Sequence, residues 1–242
     1  MSLVKNLSLT TLSTIDKSRG HEELGSEGAP FKDLHSPMAP EPVGAARLFR
    51  GGEGERLIYI GLTVPMIRLD SHMLFCFTDP KSTVPHFTVD AVAAGDHYAF
   101  HLDLIPRVDL AVNLEYMHAY YTALSPLYKE ARAIEGLSPA ELSPLQYAVM
   151  APWMLAHRAT PAAMDMVGLT VSRYLEHWLG LFARDYKTSL SGEQLAGRDL
   201  AHRGILFSRE VDPVWGQVER LIGPEVCEEL RLLLATRAWP AG

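Results

Sequence analysis

The chain has little cysteine, no long apolar run and no excess of positive charge, and each shortage excludes a class of protein. Its 242 residues include only two cysteines, Cys76 and Cys227. These lie far apart inside apolar patterns and predict two buried free thiols instead of a disulfide framework. No stretch reaches the roughly 18 apolar residues that a membrane span requires. The formal net charge of -7 argues against nucleic-acid binding.

Common catalytic and targeting signatures are also missing. There is no G-x-S-x-G elbow, no phosphate-binding glycine loop and no dinucleotide fingerprint. The N-terminus has no basic region followed by an apolar run, so we expect no secretory signal and a cytoplasmic protein, or a stromal one if the source has plastids. Residues 1–40 are rich in Ser, Thr, Gly, Pro and charge. They are predicted to form a flexible leader before a single domain over residues 41–242.

In the first half of the remaining chain, apolar and polar residues alternate in the way that is typical of β-strands. The segments AARLFRGG, RLIYIGLTV and IRLDSHMLFCFT alternate in polarity and are separated by turn-forming residues such as Gly51–Gly54 and Asp79-Pro80. Two more strands fall between Val84 and Leu110, joined by Gly95-Asp96. The connections are too short for crossover helices, so we predict about five antiparallel strands.

Helical signals begin after Pro106. Residues 114–133 have helical spacing, and Ser138-Pro139, Ser143-Pro144 and Thr160-Pro161 each resemble a capped helix start with proline at the first helical position. Asp212-Pro213 begins a last helix that is interrupted at Gly223-Pro224. Strands followed by helices predict an α+β fold with helices packed on an antiparallel sheet.

The two strands between Val84 and Leu110 place an unusual set of polar side chains on one face. With a period of two, this face carries His86, Thr88, Asp90, His97, His101 and Asp103. A solvated sheet face usually carries Lys, Glu, Thr and Ser, whereas this one has imidazoles and carboxylates and no Lys, Arg or Glu. If helices cover both sides of the sheet, the face lines a cavity, which is a common place for a small-molecule site. His72 joins this face if its strand pairs with the next one through a turn at residues 79–83.

Three interpretations of this face remain open from the residues. A buried carboxylate beside an imidazole makes a proton donor with a shifted pKa. Alternatively, His72, His86, His101 and Asp90 hold a transition metal, although no H-x-H or H-E-x-x-H spacing supports this. The third interpretation is structural: His97 is exposed beside the turn, and His101 only bonds to Asp103.

Several runs carry a resemblance to a known family. They are HFTVDAV, FHLDLIPRVDL, NLEYMHAYY, SPLQYAVMAPWML, YLEHWLGL and the segment from Arg198-Asp199 to Val226. In this order, over roughly residues 55–237, the chain resembles red chlorophyll catabolite reductase and, more distantly, the ferredoxin-dependent bilin reductases. The match is spread over the chain and contains no single invariant signature.

The resemblance implies an α/β/α sandwich, with a central antiparallel sheet flanked by helices on both faces. It implies a linear tetrapyrrole substrate held between the sheet and the C-terminal helices, a ferredoxin-like electron donor, no tightly bound cofactor and no metal. The relatives occur as monomers and homodimers. They use an acid on the central strand and an acid in the C-terminal loop, which fall on Asp90 and Asp199, and some use a histidine near the position of His72.

The leading hypothesis is thus a reductase of an open-chain tetrapyrrole. Its predicted catalytic residues are Asp90, His72 and Asp199, and its predicted substrate-binding residues are His86, Thr88, His101, Arg198 and Arg203. A basic patch of Arg198, Arg203, Arg209 and Lys187 is the candidate docking surface for an acidic ferredoxin. The alternatives are a non-redox tetrapyrrole-binding protein or proton-transfer enzyme on the same fold, and a metal-dependent enzyme.

Overall fold

The computed structural model describes residues 2–25, 30–52, 55–184 and 186–236. Within these ranges the strands are β1 (Glu22–Leu24), β2 (Lys32–Leu34), β3 (Gly44–Arg50), β4 (Arg56–Val64), β5 (Leu69–Phe77), β6 (His86–Ala94), β7 (His97–Ile105), β8 (Leu137–Pro139) and β9 (Leu155–Ala159). The helices are α1 (Leu3–Arg19), α2 (Leu114–Tyr120), α3 (Ser125–Arg132), α4 (Pro144–Val149), α5 (Pro161–Leu181), α6 (Gly192–Leu206), α7 (Val214–Ile222) and α8 (Pro224–Ala235).

The strands form one sheet in the order β1-β3-β4-β5-β6-β7-β9-β8, with β2 also paired to β3. Every pairing is antiparallel, which confirms the predicted sheet of consecutive hairpins β3 to β7. The hairpin of β6 and β7 closes through Gly95 and Asp96, and Gly95 has a φ of 62°, a left-handed conformation that favours glycine.

Helices cover both faces of the sheet. Apolar side chains at alternate positions, such as Leu74 and Phe87, pack with α1, α2, α3 and α5 on what we term the α1 face. The intervening positions, such as Phe75 and Phe77, pack with α6, α7 and α8 on what we term the α7 face. The predicted α/β/α sandwich is therefore confirmed, and Cys76 and Cys227 are buried free thiols as expected.

Helix α1 contradicts the prediction of a flexible leader. It begins at the N-cap Ser2 and packs on β5, β6 and α5, with Val4, Leu12 and Ile15 buried. Its buried stripe also contains Ser8 and Thr11, which are small enough to allow close packing but weaken the apolar periodicity from which a helix is predicted. Residues 1 and 26–29 of the predicted leader lie outside the described residues.

The helix starts were predicted with mixed success. Ser143 and Thr160 are N-caps followed by proline, as expected, and the C-terminal helical region is divided at Gly223. The prediction of a helix start at Ser138-Pro139 was wrong. Leu137–Pro139 instead pairs with β9 at the edge of the sheet, where proline is tolerated.

In the described part of the chain, no helix combines the length and apolar character needed to cross a membrane.

Candidate functional site

A cavity of about 210 Å³ lies on the α7 face, above the centre of the sheet. Its floor is formed by two cross-strand pairs of β6 and β7, Thr88 opposite Asp103 and Asp90 opposite His101. The C-terminal end of α6, the loop that follows it and the start of α7 form the opposite wall, which includes Asp212. The sequence therefore predicted correctly that these side chains share a face, and the helices enclose it.

A second cavity, of about 300 Å³, adjoins the first. The two cavities share Met73, Asp90, His101 and Val214 in their linings. The Asp90–His101 pair consequently lies where both cavities meet, in contact with a space larger than either one. We refer to the two together as the Asp90 cavity.

Asp90 and His101 form the central acid–base pair of this cavity. His101 Nδ1 lies 3.5 Å from Asp90 Oδ2, and their side chains are 21% and 30% exposed. Burial raises the pKa of Asp90, because the charged carboxylate loses hydration and His101 compensates only in part. Burial also opposes the charged form of His101, but its bond to Asp90 and the nearby carboxylates outweigh this, so the pKa of His101 is raised. Each shift favours the protonated form, and since the shift of His101 depends on a charged Asp90, the two groups titrate as a coupled pair.

Two further carboxyl groups surround the same imidazole. Burial raises the pKa of Asp103 to about 6, although its Oδ2 accepts a hydrogen bond of 3.1 Å from the backbone of Ala151. Burial, with a contribution from Asp90, also raises the pKa of Asp212 to about 6. Oδ1 of Asp212 accepts a 3.1 Å bond from Val214 N at the start of α7. The cluster can thus store and release protons close to neutral pH.

Five buried polar atoms in this lining have no hydrogen-bond partner among the described residues. They are Thr88 Oγ1, Asp90 Oδ1, His101 Nε2, Asp103 Oδ1 and Trp215 Nε1. Buried polar groups in proteins are nearly always paired, so unpartnered donors and acceptors that converge on one cavity indicate a binding site.

His72 does not belong to this site, contrary to the prediction. The register of β5 and β6 pairs Met73 with Asp90 and places His72 opposite Ala91, on the α1 face. The connection between these strands sets a register one residue away from the one assumed, and such a shift moves every side chain to the other face. There His72 accepts a hydrogen bond of 2.7 Å from the Tyr59 hydroxyl and donates one of 2.9 Å to Asp70.

His86 and Asp199 form a separate buried network. His86 Nδ1 accepts a bond from the backbone of Thr78, so its other nitrogen, Nε2, donates to Asp199 Oδ1 at 2.7 Å. Burial lowers the pKa of His86 to about 3, with Arg107 adding to the effect. Burial disfavours the charged form of Asp199. The interactions with His86, Arg107 and Arg203 outweigh this effect and hold the pKa of Asp199 well below the usual range. Neither His86 nor Asp199 lines the Asp90 cavity.

Three arginines of the predicted basic docking patch make contacts within the protein. Arg203 is buried, stacks on Phe77 and donates to the backbone carbonyls of Leu234 and Thr236 at the end of α8. Arg209 pairs with two glutamates, Glu219 and Glu228. Arg198 is half-buried and donates to the carbonyl oxygen of Arg107. These side chains are largely committed to packing and ion pairs within the C-terminal helices.

The geometry also counts against the metal alternative. Only two of its four residues, Asp90 and His101, lie together, since His72 lies on the α1 face and His86 is bonded to Asp199. Within the described ranges, no group of three or more His, Cys, Asp or Glu side chains is arranged to hold a metal ion.

Asp212 is the residue that sequence reasoning missed. It was interpreted only as part of a helix start before Pro213. Its Oδ1 does accept a hydrogen bond from Val214 N at the start of α7, but its carboxyl also lines the cavity beside Asp90. It lies in the loop before α7, whereas Asp199 lies within α6. The place of Asp212 in the loop between α6 and α7 was the feature of the sequence that could have drawn attention to it.

Comparison with known proteins supports the fold. No family model and no curated protein sequence matches the chain. Among solved structures, phytochromobilin synthase from tomato, determined in complex with biliverdin, superimposes with a TM-score of 0.76. Sequence identity is 18%, and the match covers 96% of this chain and 83% of the synthase chain. The chain therefore shares the fold of this synthase.

Proposed function

We propose that this protein reduces an open-chain tetrapyrrole, with electrons from a ferredoxin-like donor and protons from the Asp90 cavity. The observation that carries the proposal is the convergence of five unpartnered polar atoms on a covered cavity whose central pair, Asp90 and His101, favours bound protons. The shared fold with a synthase that was crystallised with biliverdin supports the substrate class.

The proposed reaction is balanced by two electrons and two protons. Reduction of one double bond takes two electrons, supplied singly by two molecules of reduced donor. One proton comes from the Asp90 carboxyl and the other from the His101 imidazolium, after which Asp103 and Asp212 return protons to the pair. Thr88 and Trp215 hold polar atoms of the substrate.

The remaining predicted residues take different roles in this proposal. Asp199 and His86 stabilise the packing of α6 on the sheet, because a carboxylate with a lowered pKa and a neutral buried imidazole are poor proton donors at neutral pH. His72 acts on the α1 face by tying Tyr59 to Asp70.

Titration with biliverdin tests the binding step. We expect a saturable change in the visible absorption band, since enclosure fixes the conformation of a flexible chromophore. No spectral change below about 100 µM biliverdin, a weak limit for a buried ligand, would contradict tetrapyrrole binding. Adding reduced ferredoxin then distinguishes turnover from storage.

Asp90→Asn tests the proton role. The variant is expected to retain biliverdin binding and to lose roughly 100-fold or more in turnover, the usual contribution of a positioned acid. Asp96→Asn is the matched control, because Asp96 lies in the turn of the same hairpin and its side chain is 86% exposed. Full turnover in Asp90→Asn would exclude the assigned role.

A non-redox protein on this fold is the second candidate. The observation that favours it is that two arginines of the predicted docking patch are engaged within the protein, since Arg203 is buried and Arg209 is ion-paired. Binding of biliverdin without any reduction in the presence of reduced ferredoxin would support this candidate over the reductase.

A further inference from the structure

A separate cavity of about 270 Å³ lies at the edge of the sheet formed by β8 and β9. Its polar lining includes Tyr128 and Arg132 of α3 and His157 of β9. Arg132 and His157 do not line the Asp90 cavity. His157 lies on the α1 face, because it is paired across the strands with Phe100, whose side chain belongs to the core on that face. The polar groups of this cavity are therefore separate from those of the Asp90 cavity, although Ala156 lines both.

His157 contributes a buried imidazole to this cavity. The residue is 5% exposed, and its Nδ1 has no hydrogen-bond partner among the described residues. Its ring is stacked on Phe100, with centroids 5.9 Å apart and planes at 19°, which fixes its orientation. A buried nitrogen that is held in place and left unpaired indicates a missing partner.

Arg132 adds a positive charge to the same cavity. Its guanidinium donates from Nη1 to the Tyr128 hydroxyl at 3.2 Å and lies 5.2 Å from the centre of that ring. In the part of the chain that the structure describes, Arg132 has no carboxylate partner within ion-pair distance. Burial lowers the pKa of His157, and the charge of Arg132 contributes to this, so the two groups act on each other. The charge of Arg132 favours an anionic partner, to which the neutral imidazole of His157 can donate a ring N–H.

The rest of the lining is mainly apolar. Pro139, Leu142, Pro152, Met154 and Ala156 surround the polar groups. The volume lies just below the range of about 300–1,000 Å³ that is typical of sites for drug-sized molecules. An occupant is therefore smaller than such molecules and carries an apolar body beside its anionic group.

We propose that this cavity binds a small organic carboxylate. The carboxylate accepts hydrogen bonds from the guanidinium of Arg132 and from a ring N–H of His157, while the apolar body packs against Leu142 and Met154. Arginine suits this role because its planar donors match the geometry of a carboxylate. The inference does not depend on the proposed reductase activity.

Calorimetric titration with benzoate tests the proposal, with benzamide as an uncharged analogue of the same shape. We expect saturable binding of one benzoate per chain and at least tenfold weaker binding of benzamide. Equal affinity for the two compounds, or no benzoate binding up to about 10 mM, a limit weaker than ordinary specific binding, would overturn it.

Two variants assign the binding to this cavity. Arg132→Gln removes the charge of an exposed side chain and is expected to weaken benzoate at least tenfold. His157→Phe keeps the ring stacked on Phe100 and is expected to weaken it as well. Arg158→Gln, in the same strand and 64% exposed, is the matched control and leaves affinity unchanged. If His157→Phe fails to fold, the affinity of Arg132→Gln for benzoate is the test. An unchanged benzoate affinity in Arg132→Gln would refute the site.

Discussion

Replacement of Asp103 by asparagine should stabilise the protein at neutral pH and have little effect in acid. The residue is completely buried, and its Oδ2 accepts a hydrogen bond from the backbone of Ala151. Its Oδ1 has no partner among the described residues. An asparagine carbonyl keeps the bond to Ala151, while the substitution removes a carboxylate that is costly to ionise in the cavity.

The magnitude follows from the pKa of Asp103. Burial raises this pKa from 3.8 to about 6, so the folded state binds the proton more tightly than the unfolded state. The stabilising contribution is complete below about pH 4 and is lost as the pH rises through about 6. A shift of about two units corresponds to about 3 kcal/mol of unfolding free energy. The asparagine variant has no such loss, so its advantage over wild type grows by about 2 to 3 kcal/mol between pH 4 and pH 7.5.

Urea denaturation of both proteins at pH 4 and pH 7.5 measures this difference. At pH 7.5 the gain corresponds to a rise of roughly 5 to 10 °C in Tm for a chain of this size. Asp165→Asn is a suitable control, because it makes the same substitution at an exposed position on α5, outside the cavity. An advantage that is equal at both pH values, or that shrinks as the pH rises, would refute the reasoning.

Three further substitutions, one of them with a matched control, test other parts of the structure. Asp212→Asn should weaken the inflection near pH 6 in the pH profile of turnover, because burial raises the pKa of this group, like that of Asp103, to about 6; an unchanged profile would show that Asp212 does not supply protons. Gly61→Ala should destabilise by about 2 to 4 kcal/mol in urea denaturation, because its Cβ would lie 2.6 Å from the Tyr59 hydroxyl and 2.9 Å from His72 Nδ1. The matched change Gly168→Ala meets no atom within 4 Å in a helix and should stabilise by about 0.5 to 1 kcal/mol. Asp199→Ala should cost about 3 to 5 kcal/mol in the same assay, since it leaves buried arginines without their carboxylate; a loss below 1 kcal/mol would contradict a structural role.

Local patterns were sufficient for much of the fold and for one wall of the site. Alternation within β6 and β7 placed Thr88, Asp90, His101 and Asp103 on one face, and the two-residue turn at Gly95 set their register. Side-chain period and a tight turn are properties of a few neighbouring residues, so they can be recognised without knowledge of the rest of the chain.

The connection between β5 and β6 is longer, and its register could not be predicted in the same way. Residues 78–85 separate the strands, and a change of one residue in pairing moves His72 from one face to the other. Helix α1 was missed for a related reason, because Ser8 and Thr11 in its buried stripe gain their packing partners only when the helix lies on the sheet.

The amino-acid sequence by itself determined the polar face of β6 and β7, the antiparallel hairpins and most helix starts, since these depend on spacing along a short segment. Only the tertiary structure decided that Asp212, and not His72 or Asp199, joins Asp90 and His101 in the cavity. Asp212 is more than a hundred residues away from both in the chain. Their proximity is produced by the packing of α6 and α7 on the sheet, and the raised pKa values of the cluster follow from the burial which that packing creates.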